Sequence, residues 1–247
     1  MNLLDLTLPS PARNLACDEA LLNWHDEKNE GATLRFWESG EIFVVTGYAN
    51  KITTEVNLTA CHAENIPVFR RCSGGGTVIQ GPGCLNYSLI LPIVEDGPLQ
   101  NISIANQYIM RRNRAAIDTL IPAASPGGRR RHVAIRGHTD LAIGDRKFSG
   151  NSQRRHKRYL LFHGTFLLNF DLTLTARYLN MPSKQPDYRE NRTHDQFITN
   201  LQLPAAEVKE AVKKAWQAGE PLRDPPLERI DALAEQKYAT HEWNYKF

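Results

Sequence analysis

The stretch Arg70-Arg71-Cys72-Ser73-Gly74-Gly75-Gly76-Thr77 sets two guanidinium groups directly before three consecutive glycines. Glycines between strand-like segments accept positive φ and let backbone approach a ligand closely. Their N–H groups can line an anion that the arginines neutralise. No Gly-Lys-Ser/Thr follows, so this is not a P-loop, and the spacing is not the GxGxxG of a dinucleotide site. Taken alone, the stretch is equally compatible with a flexible turn with a basic edge. A second candidate runs from Asp140 to Asn151, where Lys147 follows a tight Gly144-Asp145 turn. A point charge held on a rigid strand suits a phosphate or a carboxylate, although a solvent-facing strand lysine is the commoner case. The third is His163-Gly164-Thr165, set between the apolar runs Leu160-Leu161-Phe162 and Phe166-Leu167-Leu168. A His-Gly break in such a strand brings backbone close to something; the alternative is a half-buried histidine satisfied by a neighbour. No GxSxG elbow supports a Ser/His/Asp set. The eight histidines have no metal-binding spacing, so no structural metal is assigned. Arg111-Arg112, Arg114 and Arg129-Arg130-Arg131 lack interleaved aromatics and read as solvated faces.

These residues need elements to hold them. Ser10-Pro11 is a helix start, and Ala16/Ala20 and Cys17/Leu21 follow at helical spacing. Leu34, Phe36, Ile42 and Val44 alternate with polar neighbours about Ser39-Gly40 and predict a hairpin. A helix is expected over 53–65 and closes at Pro67. Strands are expected at 68–71 and 86–94. A longer helix is expected over 103–120, with Ile104, Tyr108 and Leu120 on one side. Residues 123–131 read as a loop. Two strands flank Gly144-Asp145, and another covers Tyr159–Leu168. The polar, turn-rich residues 181–200 read as a long surface loop. Pro204 opens an amphipathic helix, and a last helix covers about 226–238. Hairpins mixed with helices predict an α+β fold rather than a doubly wound sheet. No linker divides the chain, so residues 1–247 read as one domain.

Composition bounds what such a domain does. The chain has 247 residues, enough to bury its own core without staples. With 41% hydrophobic and 23% charged residues it is not a disordered chain. The 30 Lys+Arg against 27 Asp+Glu give a net charge of +3, too balanced for a dedicated nucleic-acid binder. That balance still permits mild attraction to an acidic protein. No apolar run approaches the ~20 residues of a membrane span, and the N-terminus has no signal-peptide pattern. Four cysteines without metal-like spacing point to a reducing, cytoplasmic compartment.

Taken together and in order, the motifs resemble the lipoate–protein ligase and octanoyl/lipoyl transferase family, whose fold is shared with biotin protein ligases. Asn14 to Leu22 looks like the family's opening helix, and Arg70 to Val78 resembles its RRxSGGGxV signature. Gly83-Cys84-Leu85-Asn86-Tyr87-Ser88 resembles its GNxNxS strand. Asp140-Leu141 through Lys147-Phe148-Ser149-Gly150 looks like its DL…GrKxSG segment, and His163-Gly164-Thr165 like its HGT strand. Lys237-Tyr238 and Glu242-Trp243-Asn244 resemble the end of the family's catalytic domain.

The resemblance implies an α+β fold with a mixed, bent sheet flanked by helices, and an apolar tunnel for an acyl chain. It implies an ATP-dependent ligase that joins lipoate (or octanoate) to AMP, with magnesium neutralising the phosphates. The acyl group would then pass to one lysine of a lipoyl domain of a 2-oxoacid dehydrogenase complex or of the glycine-cleavage H protein. Carried over by position, Arg70, Ser73, Gly74, Gly75 and Gly76 face the acyl chain and its phosphate. Thr77, Asn86, His163 and Gly164 border the lipoyl-adenylate, and Ser149, Gly150 and Asn151 border the nucleotide. Lys147 holds the acyl carbonyl and phosphate as the catalytic group, and Asp140 meets a magnesium ion or the incoming lysine.

Two features depart from the family pattern. Cys84 stands where the family has an asparagine that usually contacts the nucleotide. The family's C-terminal accessory domain is absent from this sequence, which implies either a separate accessory subunit or a protein that skips adenylation. The alternative is an octanoyl or lipoyl transferase drawing its acyl group from acyl carrier protein, or from another lipoylated protein, through a cysteine thioester. Such transferases place the cysteine just before the lysine hairpin or after the HG strand. Residues 128–140 and 164–180 contain none, so Cys84 would have to be a relocated nucleophile. A biotin ligase or a non-catalytic lipoyl-domain binding module ranks below both.

Overall fold

The computed structural model describes residues 1–122 and 132–247; the loop expected over 123–131 and its arginine triplet lie outside the described residues. In chain order the elements are β1 (Asn2–Asp5), α1 (Pro11–Lys28), β2 (Thr33–Glu38), β3 (Phe43–Thr46), α2 (Ile52–Glu55), α3 (Leu58–Ala63), β4 (Val68–Arg70), β5 (Val78–Gln80) and β6 (Cys84–Pro92). There follow α4 (Ile102–Asp118), β7 (Val133–Arg136), β8 (Asp140–Ile143), β9 (Arg146–Arg155), β10 (Tyr159–Leu167), α5 (Thr173–Tyr178), α6 (His194–Phe197), α7 (Ala205–Trp216), β11 (Glu220–Pro221), α8 (Leu227–Leu233), a π turn (Ala234–Tyr238) and α9 (His241–Asn244).

Eight strands form one mixed sheet in the order β11-β1-β2-β6-β10-β9-β8-β7, and three form a small one, β4-β3-β5. Alternation along the central strands separates two faces. Leu160, Phe162 and Phe166 of β10, with Leu85, Tyr87 and Leu89 of β6, pack under Ile109 and Met110 of α4 and Val208 and Val212 of α7. Tyr159, Leu161 and Ile90 pack on the opposite side with Cys17, Leu21 and Ile230. A third cluster, with Val44, Ile79, Cys84 and Phe170, backs the small sheet.

Local signals set the helices. Ser10 caps α1 by accepting from the Arg13 N–H at 3.3 Å, Pro11 follows it, and Asn29 ends the helix in the left-handed region at φ 56°. Asn101 caps α4 by accepting from the Ser103 N–H at 2.8 Å.

Several expectations change. The predicted hairpin about Ser39-Gly40 does not form. Buried β2 pairs with β1 and β6, while β3 pairs with β4 and β5 in the other sheet. The helix expected over 53–65 breaks at Val56, where Asn57 starts α3 by accepting from the Ala60 N–H at 3.2 Å. In α4 the buried stripe is Ala105, Ile109, Met110, Asn113, Ala116 and Ile117, whereas Ile104 and Tyr108 face outward. Residues 181–200 are not a loop spread over the surface; they carry a short 3-10 turn (Asp187–Arg189) and α6, and they are pinned to β9. The Thr199 N–H donates to the Lys147 carbonyl at 2.8 Å, and Arg146 Nη2 donates to the Ile198 carbonyl at 2.8 Å. The N-terminal strand β1 carried no sequence signal.

A chain of side-chain bonds crosses the layers. Trp216 Nε1 donates to Asn113 Oδ1 at 2.7 Å, Asn113 Nδ2 to the Tyr87 hydroxyl at 2.7 Å, and that hydroxyl to Asn151 Oδ1 at 2.6 Å. Asn151 fits only because residue 164 is glycine: a Cβ there would overlap the Asn151 amide. Gly164→Ala is therefore expected to cost about 1–3 kcal/mol of stability, the usual scale of overpacking. Urea unfolding measures this, and an unchanged midpoint would contradict the packing described.

Candidate active site

One cleft of about 940 Å³ opens between the two sheets and the 181–200 segment. Of the residues expected at a site, Gly75, Gly76, Thr77, Asn86, Asp140, Lys147, Ser149, Gly150, Asn151, His163 and Gly164 line it. Apolar walls come from Leu15, Trp37, Val45, Ile79, Leu167 and Phe170. The Trp37 indole N–H is buried without a hydrogen-bond partner among the described residues. At one end Gln80, Asn86 and Thr165 close a polar ring: Gln80 Nε2 donates to Thr165 Oγ1 at 2.8 Å, Thr165 Oγ1 to Asn86 Oδ1 at 2.6 Å, and Asn86 Nδ2 to Gln80 Oε1 at 3.0 Å.

The β8–β9 hairpin aims Lys147 into this space. Gly144 makes the turn at φ +63°. Leu141 pairs with Ser149 and Ala142 with Lys147, so Phe148 is an extra residue, a bulge that redirects its neighbours. Lys147 Nζ lies 2.8 Å from Asp140 Oδ1, and the Tyr188 hydroxyl donates to Asp140 Oδ2 at 2.7 Å. Burial and the Asp140 carboxylate push the Tyr188 phenol up, so it stays a donor. A Cβ on residue 150 would stand 2.7 Å from Lys147 Nζ; Gly150 leaves room for the ammonium. Tyr188 belongs to the segment read from sequence as a surface loop, and nothing in its local pattern announced a cleft role.

The two arginines divide differently from the expectation. Arg70 does not reach the cleft. It is fully buried, and its Nη1 donates at 2.9 Å to each of the Gly47, Tyr48 and Asn50 carbonyls. Its Nε and Nη2 reach the Trp243 and Asn244 carbonyls at 3.2 Å, clasping the C-terminal segment. Arg71 lines the cleft instead. Its Nη2 donates to the Gly74 and Gly76 carbonyls at 2.5 and 2.8 Å, and its Nε to Ser73 Oγ at 3.1 Å. Among the described residues Arg71 pairs with no carboxylate. Burial lowers its pKa to about 10, so it stays charged at neutral pH. A buried cation held only by carbonyls and a hydroxyl suits an anionic ligand. Gly74 does not line the cleft either; its carbonyl accepts from Arg71 and, at 2.9 Å, from the Ser152 hydroxyl.

Ser73 sits behind the same wall and is 1% exposed. His163 Nε2 is 2.6 Å from Ser73 Oγ, and His163 Nδ1 is 2.9 Å from Asp18 Oδ2. Asp18 Oδ1 accepts from Arg35 Nη1 at 2.6 Å. Burial alone would raise the Asp18 carboxyl, but Arg35 and His163 outweigh it and hold it below the usual range. An ionised Asp18 only accepts, so neutral His163 carries its proton on Nδ1 and offers Nε2 to the Ser73 O–H. Asp18 and Arg71 were written inside recognisable motifs, yet their roles depend on partners far along the chain.

Cys17, Cys61, Cys72 and Cys84 are all free and buried. None lines the cleft. Burial pushes their thiols up to about 11, 11, 12 and 12 respectively. Among the described residues no group of three His, Cys, Asp or Glu side chains is placed to hold a metal, and no helix is long and apolar enough to cross a membrane.

Comparison with known proteins agrees with this architecture. The octanoyltransferase LipM of Bacillus subtilis is 29% identical over 270 residues, covering 96% of this chain and 95% of its own. Among solved structures, a bi-partite lipoate protein ligase from Thermoplasma acidophilum, described with its E2 lipoyl domain, superposes with a TM-score of 0.75 at 22% identity, covering 99% of this chain and 95% of that one. A lipoate-protein ligase A bound with ATP gives 0.73 at 24%, covering 99% and 98%. At these identities the two structures speak to the fold, and they bear out the mixed, bent sheet flanked by helices. The profile of the lipoyl protein ligase A/B catalytic domain matches residues 10–217, and the chain belongs to that family.

Proposed function

We propose that this protein transfers a lipoyl or octanoyl group to the target lysine of a lipoyl domain, of the 2-oxoacid dehydrogenase or glycine-cleavage H protein type, and takes it from an acyl-AMP formed from lipoate and ATP. The observation that carries this reading is that Lys147 and Arg71, which pairs with no carboxylate among the described residues, face one cleft that no cysteine lines. The apolar wall of Leu15, Trp37 and Ile79 suits the acyl chain. Arg71 and the glycine loop suit the phosphate. Lys147 then stands at the acyl carbonyl, where its ammonium stabilises the oxyanion that forms as an amine attacks. Asp140, which accepts from Lys147 and Tyr188, fixes that ammonium in the resting site.

Magnesium in nucleotide sites is held by phosphates plus one or two carboxylates. Asp140 is the carboxylate beside Lys147 but is already engaged, and the described residues form no protein cage for the ion.

A second reading has its own support. The Bacillus relative is an octanoyltransferase by name, which favours an acyl thioester over an acyl-AMP as donor. A cysteine-based version of that route is disfavoured by four thiols that are buried, raised in pKa and away from the cleft.

Transfer to a purified lipoyl domain, followed by intact mass with three separate donors, tests the proposal. Synthetic lipoyl-AMP is expected to serve, and lipoate plus ATP to serve if the chain also adenylates. Activity from an octanoyl thioester alone would overturn the acyl-AMP reading. With lipoyl-AMP, Lys147→Ala is expected to lower the transfer rate about 10²–10³-fold, the scale for one oxyanion donor. Lys147→Arg should not restore it, because a planar fork does not replace a point charge. A near-normal rate in Lys147→Ala would remove Lys147 from the chemistry.

The cysteines supply a further check. Cys84→Ala removes a buried thiol from the packing of the small sheet and should leave transfer from lipoyl-AMP within about threefold, because an anhydride passes directly to an amine without an enzyme thioester. Loss of transfer in a folded Cys84→Ala, with an acyl adduct on Cys84 in the parent, would contradict it.

A further inference from the structure

The cleft has a second cationic wall, built from elements other than the glycine loop and given no part in the acyl chemistry above. It consists of the β7–β8 turn and the 181–200 segment, which meet where a Cβ on Gly137 would stand 3.3 Å from Pro186. Arg136, Lys184 and Arg189 of these two pieces all line the cleft. Among the described residues none of the three makes an ion pair. Arg136 and Lys184 are exposed, but Arg189 is only 5% exposed, and its guanidinium lies 4.7 Å from the centroid of the Phe197 ring. Its Nε donates to the Arg192 carbonyl at 3.0 Å, and its Nη2 to His194 Nδ1 at 3.3 Å and Met181 Sδ at 3.6 Å. His194 Nδ1 is free to accept because its Nε2 donates to the Asn180 carbonyl at 3.1 Å, and burial lowers the pKa of this imidazole and keeps it neutral. Among the described residues Arg189 Nη1 makes no hydrogen bond. The acids on this side do not supply a counter-charge. Asp140 is engaged by Lys147 and Tyr188, Glu55 accepts from the Ser183 N–H and hydroxyl, and Asp187 is exposed. A buried guanidinium is costly without an anion, and its planar fork matches phosphate oxygens.

We propose that this wall is a second anion subsite, which holds a phosphate group of the acyl donor other than the one at Arg71, with Arg189 as its anchor. Arg136 and Lys184 add positive charge where the wall meets solvent and draw the anion in. Arg189 then pairs with it at depth, where the interaction is least screened. Two sources carry a phosphate of this kind: ATP beyond its α-phosphate, and an acyl thioester on a phosphopantetheine arm. The chemistry recognised is the same in both, a phosphate held by a fixed guanidinium with two mobile cations beside it. The inference rests on the acyl-transfer reading of the cleft for the nature of the donor, and not on which donor serves.

The test is calorimetric titration of the whole chain with two probes in turn, inorganic pyrophosphate and phosphopantetheine. The parent protein is expected to bind at least one of them. Arg189→Gln should weaken that binding about tenfold or more, the scale of one charge-assisted hydrogen bond. A double variant, Arg136→Gln with Lys184→Gln, should weaken it severalfold, and more at low salt than at high salt. Both of its positions are exposed, so it keeps the test decisive if Arg189→Gln does not fold. Binding of pyrophosphate alone would support the subsite with ATP as the source, and binding of phosphopantetheine alone would support it with a thioester as the source. No binding of either probe by the parent would overturn the proposal. Parent-like affinity in either folded variant would also overturn it, because the phosphate would then sit at Arg71. Transfer from lipoyl-AMP by the parent chain is assayed separately. Its failure would sink the acyl-transfer reading, whereas the titrations alone decide the subsite.

Discussion

The Arg35–Asp18 ion pair is the constraint on which the site depends. Arg35 is 0% exposed and Asp18 3%, and their contact is 2.6 Å. Arg35 enters the interior from the middle of β2, and a lone buried charge there would be intolerable. Its two terminal nitrogens are engaged from α1, by the Asn14 carbonyl at 2.9 Å, Asn14 Oδ1 at 2.8 Å and Asp18, while its buried Nε has no partner among the described residues. Asn14 and Asp18 are one helical turn apart, so both face the sheet. Such a pair adds little net stability over well-packed apolar groups, but losing one partner typically costs 3–5 kcal/mol. The pair therefore sets the rotation of α1 on the sheet. It also leaves the second Asp18 oxygen free for His163.

From that point the cleft is built by close approaches. His163 lies on the face of β10 opposite Phe162, because strand side chains alternate. Gly164 makes way for Asn151, which is held by the Tyr87 hydroxyl and donates to the Thr139 carbonyl at 2.7 Å. Gly150 makes way for Lys147, and the bulge at Phe148 turns that lysine towards Asp140. The glycines of these motifs thus have steric duties towards named neighbours. The 181–200 segment completes the wall through Tyr188, which ties it to the carboxylate that holds Lys147.

Features carried by neighbouring residues were legible in the sequence. The β8–β9 hairpin was readable from alternation about Gly144-Asp145, and α1 from its Ser10-Pro11 start. Features decided by distant partners were not. The choice between Arg70 and Arg71 rests on the Trp243 and Asn244 carbonyls, 173 and 174 residues away from Arg70. Ser73 and His163 are 90 residues apart, and Asp18 and His163 are 145; no local motif joins them. Leu34 to Val44 alternates as a hairpin would, yet each strand is claimed by partners in a different sheet. Residues 181–200 divide between solvent and the cleft, which Lys184, Gln185 and Tyr188 line, and composition cannot tell the two apart.

At the centre of this account, Asp18 holds His163 with its proton on Nδ1, so that Nε2 takes the Ser73 hydroxyl hydrogen. ¹⁵N NMR of the histidine-labelled protein, with the imidazole in its neutral form, reads that tautomer directly, with His163 assigned by comparison with His163→Gln. The account predicts a protonated Nδ1 and a pyridine-like Nε2 for His163. A protonated Nε2 with a bare Nδ1 would contradict it.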